Sequence, residues 1–193
     1  HSMALIRFGR FDEVLDITEP PTGEINLSMY DFSQGYAALK SGDTDKARDA
    51  MQSLKELTET TTARFRFHDG KDIVGALAGI LEGEIAWTEG NIEGAADAFR
   101  LATDYYDKLN YDEPEPLPFS PRHWLGAAYM ELQAYDNALE VYRRDLSEHP
   151  HNIWSLFGIQ QALAMIGESD PVIDKDLFEA LSYADIWMLN TKY

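Results

Sequence analysis

The stretch from Phe119 to Asn152 constrains the fold of this chain more than any other stretch. Apolar side chains recur in it at the spacing of an α-helix in two successive runs, which a short polar turn separates. Gly126 in the first run and Ala138 in the second have little or no side chain, so two helices can cross closely there. Pro150 closes the stretch because a helix cannot easily continue through proline. The pattern therefore predicts a hairpin of two antiparallel helices.

The spacing of six residues in this stretch resembles the signature of the tetratricopeptide repeat (TPR), L-G-x2-Y, A-x3-F and P. The matching residues are Leu125, Gly126, Tyr129, Ala138, Tyr142 and Pro150. Tyr142 stands where the signature prefers phenylalanine, and Arg122 stands where it prefers tryptophan. The resemblance implies that the hairpin is one unit in an array of repeated hairpins.

Glycine and alanine recur at matching positions earlier in the chain. The pairs are Gly35 with Ala47 and Gly83 with Ala95. Gly42 is expected to end the first helix of the first pair, and the expected caps of the second helices in the three hairpins are Asp43, Asn91 and Asp136. The predicted repeats cover residues 28–61, 76–109, 119–152 and 153–189 of a single domain that spans residues 3–193. Two inserted loops, at 63–72 and 111–121, widen the spacing between them. Each hairpin buries its apolar face only by stacking on its neighbours. We therefore predict an all-α, TPR-like right-handed superhelix of antiparallel hairpins with about nine to ten helices.

The two ends of the chain carry separate predictions. His1 and Ser2 precede Met3 and are interpreted as the remnant of an expression tag, so we expect the natural protein to extend further upstream. The apolar residues 186–190 near the other end are expected to pack against the last hairpin.

The charge of the chain limits the partners that it can bind. Lysine and arginine number 16 against 34 aspartate and glutamate residues, for a formal net charge of -18. Such a chain repels the phosphates of nucleic acids and anionic membrane surfaces, so we predict neither as a partner. A protein or peptide is the expected partner. The charge is compatible with a basic one, but solubility or a salty habitat is the favoured explanation of the acidity. No apolar run approaches the ~18 residues of a membrane helix. The compartment is not identified, and a cytoplasmic location is the default expectation.

Residues with catalytic or metal-binding potential form no motif. The chain contains no cysteine, which excludes disulfides, a thiol nucleophile and cysteine-ligated zinc. Neither a G-x-S-x-G motif, an H-E-x-x-H motif nor a phosphate-binding glycine loop is present. The histidines are interpreted as surface and helix-cap residues, because none has the i, i+4 spacing of a helical zinc site. We therefore predict no metal, no cofactor and no enzymatic activity.

The inward positions of the first helix in each repeat predict a groove for a partner. Counted from the aligned glycine, they are Phe32, Tyr36, Lys40, Glu84, Trp87, His123, Met130, Glu131, Trp154, Phe157 and Gln161. Aromatic side chains mixed with a few charges suit an extended peptide or a helix of another protein. Two alternatives stay open. The aromatic side chains could instead fill the core between hairpins, or the proline-rich loop 111–121 could fold back and fill the groove.

The second half of the chain resembles a family of bacterial TPR proteins of unknown function. The residues that carry this resemblance are Tyr111–Pro114, Pro121, Arg122, Leu125, Gly126, Val141–Arg143, Asp145, Leu146 and Trp154–Gly158, and residues 7–15 resemble an upstream segment of the family. The resemblance implies no activity and no ligand. It implies a fixed arrangement of polar residues. We predict that an arginine of this set pairs with an acidic residue and fixes the proline-rich loop to the repeat, and the alternative is an exposed polar site. The candidates for this pair are Asp112, Glu113, Arg122 and Arg143.

These patterns favour a non-catalytic module or scaffold that binds a partner protein in a concave groove. The alternative is a segment of a longer TPR protein that serves assembly or self-association through the same surfaces. A small-molecule or enzymatic site near the proline-rich loop is the third hypothesis, and it requires a pocket with convergent polar groups.

Overall fold

The computed structural model describes residues 1–184 and residue 192. The chain forms two compact units, unit 1 with residues 1–121 and unit 2 with residues 122–192. The apolar segment 186–190, for which the sequence predicts packing on the last hairpin, lies outside the described residues.

Unit 1 consists of six helices and one pair of short strands. In chain order they are α1 (Ser2–Arg7), α2 (Phe11–Leu15), α3 (Glu24–Lys40), α4 (Thr44–Thr60), β1 (Arg64–Phe65), β2 (His68–Asp69), α5 (Gly70–Thr88) and α6 (Ile92–Tyr106). Along the chain, α3 packs on α4, α4 on α5 and α5 on α6, and α3 also packs on α5. This order, in which first helices contact each other as well as their own partners, is that of stacked helical hairpins.

Local sequence signals fix the first hairpin of unit 1. Gly42 follows α3 with a φ of 90°, a backbone conformation that favours glycine. The carboxylate of Asp43 then accepts a hydrogen bond from the backbone N–H of Lys46 and caps α4, as the sequence predicts. Gly35 lies so close to α4 that a Cβ added to it would stand 2.6 Å from the Cβ of Ala50. The small residues therefore allow α3 and α4 to cross in direct contact.

The second hairpin follows the same plan. The side chain of Asn91 accepts a hydrogen bond from the N–H of Gly94 and caps α6, which confirms the predicted cap. The ring of Phe99 packs directly on Gly83, where an added Cβ would meet it at 2.3 Å. The aligned glycine thus makes room for the aromatic residue of the second helix.

The two inserted loops differ in structure. Within 63–72, strands β1 and β2 pair antiparallel in a short hairpin, with Arg64 opposite Asp69, and α5 begins directly after β2. Residues 107–121, here called the connector, contain neither helix nor strand. The four prolines of this segment explain the absence of helix.

Unit 2 consists of two further hairpins. Its described helices are α7 (Arg122–Glu131), α8 (Tyr135–Glu148), α9 (Ile153–Met165) and α10 (Pro171–Ser182). Asn152 caps α9 and Asp170 caps α10 through their side chains. The sequence pattern also predicts Asp136 as the cap of α8, and this is wrong. Residue Ala134 holds the cap position without a side-chain hydrogen bond, and Asp136 lies in the first turn.

Tyr142 is the centre of unit 2. Its ring is fully buried between two glycines, and a Cβ would meet it at 2.3 Å from Gly126 and at 2.5 Å from Gly158. Ala138, Leu139 and Ile159 complete the surrounding core. The ten helices of the described residues thus form the predicted all-α, TPR-like repeat fold. The handedness of the superhelix and the single continuous domain remain predictions.

Candidate functional site

The predicted groove positions of α3 are covered by other parts of unit 1. Phe32 and Tyr36 are fully buried. The ring of Phe11 from α2 lies 6.0 Å from that of Tyr36, and the ring of Phe119 from the connector lies 5.9 Å from that of Phe32. These two positions therefore form part of the core of unit 1, which is one of the two alternatives that the sequence leaves open.

The connector is tied to unit 1 by side chains from three different elements. A guanidinium nitrogen of Arg7 in α1 donates a hydrogen bond of 2.7 Å to the carbonyl of Pro118. Tyr106 at the end of α6 donates its hydroxyl to Glu115 at 2.9 Å. Leu117 is fully buried between these anchors. The proline-rich loop thus packs onto the hairpins of unit 1 rather than projecting from them.

The third anchor comes from the β-hairpin. Arg66 places one guanidinium nitrogen 2.7 Å from the carboxylate of Asp112 and donates from another to the carbonyl of Pro114 at 2.8 Å. His68 is buried, and its Nε2 lies 3.1 Å from the same carboxylate. The Nδ1 of His68 is buried without a hydrogen-bond partner among the described residues. Asp112 is thus held by two side chains of the inserted hairpin.

These contacts bear on the predicted pairing of the connector with Arg122 or Arg143. The partners of Asp112 in unit 1 are Arg66 and His68, and Glu113 accepts a hydrogen bond from the Tyr111 hydroxyl. Within unit 2, buried Arg122 pairs with Glu148 at 3.1 Å, and Arg143 is exposed. A pair between Arg122 or Arg143 and the connector stays a prediction.

The remaining inner positions of unit 1 lie towards the ends of α3 and α5. The ammonium of Lys40 lies 2.5 Å from a carboxylate oxygen of Glu84, which is buried, and 4.9 Å from the centre of the Tyr36 ring. Trp87 is half-buried one turn further along α5. The charged and aromatic mixture that the sequence predicts is therefore present, with its charges paired to each other.

A groove of about 470 Å³ opens next to Lys40. It is lined by residues 9–13, which form the turn between α1 and α2 and the first turn of α2, and by Lys40 and Ser41 at the end of α3. We call it the terminal groove. The guanidinium of Arg10 forms two contacts of 2.5 and 2.6 Å with the carboxylate of Glu13 on its rim. Charged side chains of both signs and the aromatic residue Phe11 thus line the terminal groove.

The predicted positions in unit 2 divide between its core and its surface. His123 and Trp154 are buried, with their rings stacked at 5.9 Å. Met130 packs against the core around Tyr142, and Phe157 is half-buried. Glu131 and Gln161 are exposed. Whether the candidates of the two units share one concavity stays a prediction.

A buried polar cluster around Asp145 was not predicted from the sequence. Asp145 is fully buried on α8. It accepts from the His123 Nε2 at 3.3 Å, from the His149 Nδ1 at 3.0 Å and from the Ser155 hydroxyl at 2.6 Å. Burial raises the pKa of Asp145, but the charge of His123 and the hydrogen bonds outweigh it and hold the pKa well below its ordinary value. The cluster joins α7, α8 and α9, which assigns it a structural role.

The cluster corrects the interpretation of the histidines as surface and cap residues. His68 and His123 are both buried and face carboxylates. The i, i+4 spacing of Asp145 and His149 on α8 was the one local signal for such a pair. His123 and Ser155 belong to other helices, so only the packing of three helices brings them to Asp145.

No group of three or more metal-ligating side chains occurs in residues 1–184. Over the same residues, every helix is too short or too polar to span a bilayer.

The fold defines this chain as an all-α protein of stacked helical hairpins. The family model of the tetratricopeptide repeat matches residues 31–57, which form most of α3 and α4. In this hairpin the chain is therefore similar to a tetratricopeptide repeat. No curated protein and no solved structure matches it. Proteins of this repeat class generally mediate protein–protein interactions and are generally not catalytic.

The match falls on the first complete hairpin and not on the stretch with the closest spacing to the signature. The hairpin of α3 and α4 has the cap, the turn glycine and the close glycine contact that the repeat requires. The match lies within residues 28–61, for which the sequence predicts the first repeat, and the bounds of the repeats stay predictions.

Proposed function

We propose that this chain is a non-catalytic interaction module that binds an extended peptide or a helix of a partner protein at the terminal groove. The repeat class supports binding of a protein. The observation that carries the choice of site is the open volume beside Lys40. It lies at the end of the face on which other side chains of unit 1 cover Phe32 and Tyr36.

The chemistry of the terminal groove suits a polar segment of a partner. Arg10 and Lys40 supply cations, and Asp12 and Glu13 supply carboxylates, along the same opening. Ser41 adds a hydroxyl at its edge. Charged groups on the rim of an interface determine specificity and association rate more than affinity. With a net charge of -18, the chain favours partners that carry basic residues.

A site-specific crosslinking experiment tests this proposal. A photoreactive amino acid replaces Ser41 at the groove, and in a matched control it replaces Ser53, an exposed serine of α4 that does not line the groove. The full protein is irradiated in the cell in which it naturally occurs. We expect a crosslinked protein from position 41 that is missing from position 53.

Binding measurements on the identified partner complete the test. We expect Ser41→Trp, which fills the groove opening, to weaken the affinity about tenfold or more, since a displaced contact of about 1.4 kcal/mol has that effect. Ser53→Trp is expected to leave the affinity unchanged. Equal crosslinking from both positions, or an affinity that Ser41→Trp does not change, would refute the proposal.

Self-association is the second candidate function, and exposed apolar residues in unit 2 favour it. Val172 and Phe178 of α10 are 64% and 76% exposed, and Met165 at the end of α9 is 60% exposed. Sedimentation equilibrium over a range of concentrations tests this candidate. A dimer that Phe178→Ser dissociates would support assembly through α10, and a monomer at all concentrations would refute it.

A further inference from the structure

A second opening lies on unit 1, between the two outer helices α4 and α6. It has a volume of about 130 Å³ and a floor of small residues from α5, namely Gly75, Ala78 and Gly79. Leu101 and Tyr105 of α6 form one wall. Leu101 is 47% exposed, although it is a large aliphatic residue in the middle of a helix. We call this opening the outer cleft.

The outer cleft is separate from the inner face of unit 1. Gly75 and Glu84 are about two and a half helical turns apart, which places them on opposite sides of α5. Glu84 faces Lys40 of α3 on the inner side, whereas Gly75 faces the ring of Tyr105. A partner bound at the terminal groove would therefore leave the outer cleft open.

The glycines of the floor explain how the cleft forms. A Cβ on Gly75 would stand 2.7 Å from the ring of Tyr105, and a Cβ on Gly79 would stand 2.8 Å from the Cβ of Ala102. These contacts bring α6 directly onto α5. On the α4 side the lining residues are Lys55, Thr58 and Glu59. The floor is buried at the bottom of the cleft, and the Leu101 wall is exposed.

The rim of the cleft carries more negative than positive charge. The ammonium of Lys55 pairs with the carboxylate of Glu82 at 2.8 Å across the opening. Glu59 also lines the cleft and is exposed. The nearby ammonium of Lys108 lies over the ring of Tyr105 at 4.6 Å and is not part of the lining. The carboxylates of Glu59 and Glu82 outnumber the ammonium of Lys55, so the rim carries one excess negative charge that a cationic ligand group can neutralise.

We propose that the outer cleft binds a single aliphatic or aromatic side chain of a partner protein, next to an arginine or lysine that pairs with Glu59. The volume supports one side chain, since a cavity of about 150 Å³ with apolar walls holds a benzene molecule. The apolar floor favours an apolar side chain in the cleft, and the acidic rim favours a cationic residue next to it. The net charge of -18 attracts such a basic segment over longer distances.

A titration with short peptides tests this proposal on the full protein. The probe is a capped peptide of sequence Ser-Arg-Leu-Arg-Ser, and the two control peptides replace its leucine by serine or its arginines by glutamates. Nuclear magnetic resonance follows the methyl groups of Leu101 and Ala78. We expect saturable shifts with the leucine peptide and none with either control.

Matched variants locate the binding. Leu101→Ser removes the exposed wall of the cleft, and Leu27→Ser is its control, since Leu27 is 38% exposed on α3 and does not line the cleft. We expect the shift of the Ala78 methyl group, which both variants retain, to disappear in the first variant only. Glu59→Gln is expected to weaken the affinity by about two- to fivefold, the effect of one exposed ion pair. Ser41→Trp at the terminal groove is expected to leave peptide binding unchanged, so that the two proposals succeed or fail separately.

Three results would overturn the proposal. Equal shifts with the serine peptide would show that no apolar anchor is selected. Binding that survives Leu101→Ser would place the peptide elsewhere. Self-association that Leu101→Ser abolishes would show that a second copy of the chain fills the cleft. The exposed Phe67 on the basic β-hairpin would then be the first side chain to test as its occupant.

Discussion

Asp145→Asn exchanges one carboxylate oxygen for an NH₂ group. Among substitutions of this kind in unit 2, we expect it to destabilise the unit most. The Asp145 carboxylate is fully buried and receives hydrogen bonds from His123, His149 and Ser155. Asparagine keeps the shape of the side chain, but only one of its two terminal atoms can accept. At least one of the donors would then face an NH₂ group.

The magnitude follows from the number and type of the lost interactions. A buried polar group that loses its partner costs about 1–3 kcal/mol, and hydrogen bonds to a charged group contribute about 1.5–3 kcal/mol each. Removing one partner of a buried charged cluster typically costs about 3–5 kcal/mol. We therefore expect Asp145→Asn to lower the unfolding free energy of unit 2 by about 3 kcal/mol or more.

The assay has to report on unit 2 alone, because a chain with two units does not have to unfold in one step. Native-state hydrogen exchange of the α8 amides meets this requirement. A loss of about 3 kcal/mol accelerates their exchange by about a hundredfold or more. Glu140→Gln on the same helix is the control, since it removes the same charge from an exposed position and is expected to change the stability by less than about 0.5 kcal/mol.

The pH dependence provides an independent check. The pKa of Asp145 is lower in the folded chain than in the unfolded chain, so its contribution to stability is complete above the unfolded value of about 3.9. The contribution is lost as the pH falls below that value towards the lower pKa of the folded state. The difference between wild type and Asp145→Asn should therefore be constant near pH 6 and shrink below about pH 4. A difference that matches the Glu140→Gln control at pH 6, or that stays constant down to pH 3, would refute the reasoning.

Three further changes test contacts of the fold. Gly126→Ala should destabilise unit 2 by about 1–3 kcal/mol because the new methyl group meets the Tyr142 ring. In chemical denaturation, adding Gly126→Ala to Tyr142→Leu should cost less stability than adding it to the wild type. Lys40→Met removes the cation from the buried Glu84 carboxylate and should lower the unfolding free energy by about 3 kcal/mol. The double variant of Lys40→Met and Glu84→Met should be closer to wild type in stability, and equal losses in the single and the double variant would contradict this reasoning. Asp112→Asn weakens the anchor of the connector and should accelerate amide exchange of residues 110–119 about tenfold, while unchanged exchange would show that the other anchors suffice.

The hairpins could be predicted from the sequence because their signals are local. Helical periodicity, the caps at Asp43 and Asn91, and the turn glycine Gly42 all lie within a few residues of the structure that they determine. The same signals failed at α8, where Asp136 is a suitable capping residue in type but lies two positions past the cap. A good capping residue can occupy the first turn equally well, since its charge is favourable there.

The state of the predicted groove could not be read from the sequence. Periodicity identifies Phe32 and Tyr36 as residues on one face of α3, but it does not reveal what lies against that face. The covering rings of Phe11 and Phe119 come from α2 and from the connector, neither of which belongs to the hairpin of α3 and α4. Likewise, His123 and Ser155 reach Asp145 from two other helices, and only the packing of these helices completes the cluster.

The parts of unit 1 that the repeat pattern does not explain decide which surfaces a partner can reach. In a chain with only 16 basic residues, Arg7 and Arg66 are both used to hold the connector. Leu117 and Phe119 of the connector are buried as core residues, so the connector belongs to the fold of unit 1 and does not behave as a loosely bound loop. A partner that required the face around Phe32 would have to displace this buried apolar surface and break the anchors as well. Binding at the terminal groove or the outer cleft, the two sites proposed above, requires neither.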